Sequence, residues 1–373
     1  MKTGIMARRA TVSAFGSCAR GAGTALVAIC INGTVAAVSD RLSLPGFVNA
    51  HSHAFQRAMR GRVEGDDFWA WRETMLDLAR SLTPGQVRAD YERTYREMRA
   101  AGYTAVGEFH YIGLEEGKAA AEAARAAGVE LVLLYAAYGR GGIDRFRQES
   151  VADYLGQLEG LAGAGVRVGA APHSVRACPA DWLEEIGRYA DRHGLVLHVH
   201  ADEQPREIEE CLAEHGVRPI ELLARSGCLG PRTTIVHATH ADDHELDLVA
   251  EAGASICVCP TTEANLGDGF IPVDRIRDRG IRLCIGSDSN VRIDPLEELR
   301  ELEGTARRQA MRRNVIPPEE LLRIGSGHGA EALGLDAWPP TAVELDHPAL
   351  AGVPQSGVES ALVFGCGADV FSP

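Results

Sequence analysis

A surplus of basic residues is missing from this sequence: 38 Lys and Arg stand against 52 Asp and Glu, for a formal net charge of −14. Nucleic acid and anionic membrane surfaces are bound by clustered Lys and Arg that displace counterions, so neither is an expected partner. Any acidic ligand needs a local arginine site. The nine cysteines form no even framework of short loops and no CxxC, and Cys257, Cys259 and Cys284 fall in apolar, strand-like runs, where free thiols act as small hydrophobes. Long apolar stretches are also lacking. Arg8-Arg9 precede a mildly apolar segment whose longest run, Ala25–Ile31, is too short for a signal core or a membrane span. Solenoid repeats, low-complexity tracts and coiled-coil heptads are not found. The expectation is a reduced, cytoplasmic, globular protein.

What is present is alternation. From residue 44 onward, short β-branched runs alternate with longer Ala/Glu/Arg-rich segments, the pattern of a parallel sheet with crossover helices. Eight runs are counted: 46–53, 103–111, 130–138, 166–173, 195–200, 233–237, 254–260 and 281–288. Helix-like stretches between them include 84–101, 115–127, 180–193, 205–214, 242–252 and 272–279, many stopped by Gly or Asn. This predicts an α/β protein, a (β/α)8 TIM-like barrel over 44–334, with a small β-domain formed from the N- and C-terminal segments 1–43 and 335–373. Val27–Val38 reads as two apolar runs about Asn32-Gly33, a β-hairpin signal.

The reactive side chains cluster at the C-terminal ends of these runs, the face on which such barrels build active sites. His51 and His53 end Leu44-Pro-Gly-Phe-Val-Asn-Ala-His-Ser-His53; two apart in an extended run, their imidazoles project from one face and can meet one ion. An isolated HxH pair is a weak motif and by itself decides little. Leu195-Val-Leu-His-Val-His200 offers a third nitrogen, but His198 and His200 face the same way and spacing does not choose between them. Glu203 follows, placed to move protons or simply to favour a first helical turn ahead of Pro205. His237 closes the sixth run and Asp288 the eighth. A carboxylate after an apolar strand is costly to bury unless it is paired or on a metal. Singly, each could be a satisfied core group; five metal-type groups at matching strand ends point to a metal-dependent hydrolase. Arg176 and His173 in Pro172-His-Ser-Val-Arg176, Tyr111 in Glu108-Phe-His-Tyr111, and Arg72 in Phe68-Trp-Ala-Trp-Arg72 lie on the same face. Arginine forks bind carboxylates bidentately, so a small acidic substrate is expected, although Arg72 reads almost as well as a solvated residue of a Trp-rich helix.

These strings resemble the amidohydrolase superfamily, and within it the N-formimino-L-glutamate deiminases of histidine degradation. The resemblance runs from about Leu44 to Gly334 and rests on 51–59, 68–73, 102–111, 172–176, 198–204, 236–240, 259–269 and 286–290. HxH and the late Asp mark only the superfamily; the longer strings narrow it. The resemblance implies that His51, His53, His200 and Asp288 bind one Zn2+ per subunit, with Fe2+ as an alternative. It implies that Glu203, His237 and Asp288 act in proton transfer, and that Gln56, Arg72, Tyr111, His173 and Arg176 hold the substrate. A homodimer is expected. Residues 1–24 carry no matching string and the tail 337–373 reads as short, which suggests a reduced small domain. Two rivals are a deaminase of a neutral purine or pterin ring and a catalytically silent barrel. The first predicts stacking groups instead of two arginines, and a Ser-Asn loop where this chain has the loop Thr261-Thr-Glu-Ala-Asn265. The second would usually have lost ligands.

Overall fold

The structure, a computed structural model, describes residues 30–31, 34–35, 41–62 and 68–372. Cys30–Ile31 pairs antiparallel with Thr34–Val35, as the hairpin signal predicts; the rest of 1–40 lies outside the described residues. Arg41–Pro373 is one compact unit.

Its centre is an eight-stranded parallel sheet: β1 (Phe47–Ser52), β2 (Tyr103–His110), β3 (Glu130–Ala137), β4 (Val168–Pro172), β5 (Leu197–Ala201), β6 (Thr233–His237), β7 (Ser255–Val258) and β8 (Arg282–Ile285). Each strand pairs with its sequence neighbour, in the order β8 to β1. Every predicted run coincides with one of them to within a few residues at its ends, the fifth strand reaching Ala201, one residue past its run. The helices between strands cover the outside of the sheet, and their ends follow the local chemistry. Thr83 and Gln86 form a capping box at Pro84–Ala100, and Asp242 and Glu245 form one at Asp243–Ala252. Among the described residues no helix is long and apolar enough to cross a membrane. The described cysteines Cys178, Cys211, Cys228, Cys257, Cys259, Cys284 and Cys366 are free and buried, as the apolar runs suggest.

The barrel closes through a short seam. Ser52 bridges Asp288, the Asp288 amide donates to His51 O at 3.0 Å, and the His53 amide donates to Asp288 O at 2.8 Å. Gly286 makes this approach possible, since a Cβ there would lie 2.6 Å from His51 O and 2.8 Å from His51 Cβ. The substitution Gly286→Ala is therefore expected to destabilise the fold by ~1–3 kcal/mol through overpacking, read as a lower urea midpoint together with weaker metal retention. An unchanged midpoint would mean that the seam yields at no cost.

Outside the barrel, Pro340–Glu344 lies between Arg41–Pro45 and Phe371–Ser372 in a three-stranded antiparallel sheet, so the segment entering the barrel and the chain's tail do meet in a small sheet. Phe371 packs edge-on against Phe47 at 5.4 Å, which couples that sheet to the start of β1.

Candidate active site

His51 and His53 leave β1 where its pairing with β2 shifts register between Asn49 and Ser52, an irregularity that re-aims the side chains at the strand's end. His51 Nε2 lies 3.2 Å from His53 Nε2, 3.0 Å from His200 Nε2 and 3.4 Å from Asp288 Oδ1. His53 Nε2 is 3.3 Å from the same carboxylate oxygen. The orientation of two of these rings is set by carbonyls, which can only accept. His53 Nδ1 donates to Phe109 O at 2.9 Å and His200 Nδ1 donates to His173 O at 3.0 Å. In the neutral rings Nε2 is then a bare lone pair, and both point at one spot beside a carboxylate. Lone pairs held this close repel unless a cation lies between them, and an N3O donor set of this kind fits a four-coordinate divalent ion.

The electrostatics agree. Burial lowers all three imidazoles, His51 to about 3, so they are held in the neutral form that ligates. Burial opposes ionisation of Asp288, but the imidazoles of His51, His53 and His237 outweigh it and hold the carboxyl well below its ordinary range.

His198 points inward too, one layer deeper. Its Nε2 donates to Ala332 O at 2.9 Å, in the helix Gly327–Ala332 under the barrel floor. Two inward histidines on one strand share a side but not a depth, which is why their spacing does not separate them.

Glu203, His237 and Asp288 meet beside the ligand set. His237 Nε2 is 3.7 Å from Glu203 Oε1 and 4.0 Å from Asp288 Oδ2. Burial alone would lower His237, but Glu203, Glu263 and Asp288 raise it to about 10. Burial raises Glu203, with His237 and Arg176 pulling the other way. His237 and Asp288 both adopt left-handed backbone, with φ of 74° and 42°, strain of the sort that collects at functional sites.

The five predicted substrate residues line the cleft above. Gln56 Nε2 donates to the Tyr111 hydroxyl at 3.0 Å, while Gln56 Oε1 is buried without a partner, so one end of the carboxamide is fixed and the other is left for a ligand. The His173 ring packs between Tyr138, centroids 4.5 Å apart, and His200 at 4.7 Å. Arg72 and Arg176 both act on Tyr138, whose hydroxyl burial raises and their charges pull down, so the two guanidinium groups share one end of the cleft. Arg176 Nε donates to Glu207 at 3.4 Å and its Nη2 lies 3.7 Å from Glu203. Arg72 is paired within its own helix, with Glu73 at 3.4 Å. That helix, Phe68–Ser81, is tied across the mouth by the Arg206 guanidinium, 4.4 Å over the Trp69 ring.

Sequence comparison gives the same answer as the geometry. The Amidohydrolase family profile matches residues 42–337. The chain belongs to this family. It is 38% identical over 327 residues to a formimidoylglutamate deiminase of Pseudomonas aeruginosa, covering 78% of this chain and 72% of that protein. It is 31% identical to a 5-methylthioadenosine/S-adenosylhomocysteine deaminase of Haloarcula marismortui, over 80% and 70% of the two chains. The fold matches the crystal structure of an adenosine deaminase from Xanthomonas campestris with bound zinc at a TM-score of 0.81, with 23% identity, over 89% and 78%.

Several residues of this amidohydrolase site had no individual signal in the sequence. Arg140, in a Gly-rich stretch after β3, donates to Arg176 O at 3.0 Å and Val175 O at 2.9 Å and so braces the loop that carries Arg176. Asn49 and Asn290 clasp Ser287 from both sides at 2.6 Å, and Asn290 also reaches Ser52 at 3.1 Å, locking the two loops of the metal centre together. Glu263 accepts from His237 Nδ1 at 3.2 Å. The segment Thr261–Asn265, read as a loop, is in fact part of a short helix, Pro260–Leu266, started by a proline at its first turn and ended by left-handed Gly267.

Proposed function

We propose that this amidohydrolase hydrolyses N-formimino-L-glutamate to N-formyl-L-glutamate and ammonia, a step of histidine degradation, with zinc held by His51, His53, His200 and Asp288. The observation that carries the reading is the pairing of this donor set with two cleft arginines and the half-satisfied Gln56. The 38% identity to a formimidoylglutamate deiminase supports it. A flat neutral ring has no use for Arg72 and Arg176, whereas a glutamate derivative brings two carboxylates. Imidazole-rich sites of this kind also suit Fe2+. Free buried thiols favour a cytoplasmic setting.

A divalent ion, held by His51, His53, His200 and Asp288, would supply a lowered pKa for water at the site. Asp288, kept ionised by its imidazole neighbours, accepts the water's first proton. Glu203, whose pKa burial raises, hands a proton to the departing amidine nitrogen, and His237 holds the water between the two carboxylates. The balance is one amidine and one water to one formamide and one ammonia. Gln56, Tyr111 and His173 hold the carboxylate near the reacting end, and Arg72 and Arg176 hold the distal one.

The relatives that deaminate adenosine derivatives keep a second reading open, with Trp71 and Tyr138 as stacking faces. Ammonia release from N-formimino-L-glutamate, N-formimino-L-aspartate, guanine and S-adenosylhomocysteine by the zinc-loaded protein decides between them. Turnover of the first is expected. Turnover confined to a purine would replace this assignment with the second.

A further inference from the structure

Glu263 has no place in the reaction as drawn, yet it is buried against it. The carboxylate stands in the first turn of Pro260–Leu266, 5% exposed, and its Oε1 takes two donors: His237 Nδ1 at 3.2 Å and the Cys259 amide at 2.9 Å. The Cys259 amide anchors the carboxylate to the end of β7, and the carboxylate in turn reaches across to β6.

His237, Cys259 and Glu263 also present ligand atoms within 4.8 Å of one another, which raises the question of a second ion. The contacts answer it. The carboxylate oxygen is already engaged by two N–H groups, and burial holds the Cys259 thiol well above its ordinary pKa, so it stays protonated and a poor ligand.

What remains is an orienting pair. Glu263 Oε1 accepts from the Cys259 amide and from the ring, so Nδ1 carries a proton and Nε2 is the atom turned toward Glu203 and Asp288. We propose that Glu263 is a positioning residue for the deamination, fixing the ring plane of His237 so that Nε2 meets the reacting water. The inference rests on the role given to His237 above.

A double-mutant cycle on the zinc-loaded enzyme tests it, with E263Q, H237N and the double variant assayed on N-formimino-L-glutamate. E263Q is expected to lower kcat about 10–100-fold, with KM and zinc content close to wild type. In the H237N background the same change is expected to cost nothing further. An equal loss in both backgrounds would overturn the proposal. A second readout needs no turnover: proton NMR of the wild-type protein should show a downfield imidazole N–H signal with a through-space contact to the Cys259 amide, absent in H237N. Its absence from the wild type overturns the pairing even if E263Q does not fold. If the signal is present and N-formimino-L-glutamate is not turned over, the pairing stands and the substrate assignment fails.

Discussion

Asp288→Asn is expected to lower kcat by about 10²–10⁴-fold, the range general acid–base groups supply, and to weaken zinc retention as well. In the proposed reaction the carboxylate has two jobs. One oxygen lies 3.4 and 3.3 Å from His51 and His53, and the other faces His237 at 4.0 Å. Asparagine keeps the shape but removes the charge that balances the ion and the basic oxygen that takes the water's proton. Assays at saturating zinc separate the two effects. Restoring zinc should restore occupancy, measured by metal analysis, and leave kcat low. Full recovery of kcat with zinc would show that Asp288 is a ligand and nothing more.

Arg176→Met should cost about 10²–10³ in kcat/KM, because truncating one partner of a buried charge pair typically costs ~2–5 kcal/mol. Arg176 has two buried acidic neighbours, Glu203 and Glu207, and although burial opposes its charge, theirs hold the guanidinium firmly protonated. Methionine should therefore harm kcat as well as KM, since Glu203 would lose a cation that opposes its raised pKa. The diagnostic quantity is discrimination. Wild type should favour N-formimino-L-glutamate strongly over the analogue with a side-chain amide in place of the distal carboxylate, and the variant should lose most of that preference. A preserved ratio would show that Arg176 braces Glu203 without reading the substrate. Arg72, paired among the described residues with its helical neighbour Glu73, should affect KM more than kcat when replaced.

Much of this site was legible because barrel chemistry is local in sequence. A β-branched run followed at once by His, Glu or Asp marks a strand and its functional end together, so His51, His53, Glu203, His237 and Asp288 stood out as a set although none did singly, and His200 was separated from His198 only by the family resemblance. The illegible parts depend on contacts between distant segments. Asn290 and Ser52 are 238 positions apart, and Glu263 and His237 are 26 apart on different strand ends; in the sequence each is an ordinary polar residue. The depth of His198 follows from a helix more than a hundred residues later. Short helices such as Pro260–Leu266 escape a periodicity argument because seven residues span barely two turns.

The seam joining β1 to β8 runs through the reacting centre itself, with Ser52 bridged to Asp288 and the neighbouring amides exchanged between His51, His53 and Asp288. Two of the four donors stand at the end of the first barrel strand and one just past the last barrel strand. A partly assembled barrel does not bring all four donors together, and the complete set forms only when the two ends of the sheet meet. Activity is then expected only from molecules whose barrel has closed, with no contribution from those whose seam is still open.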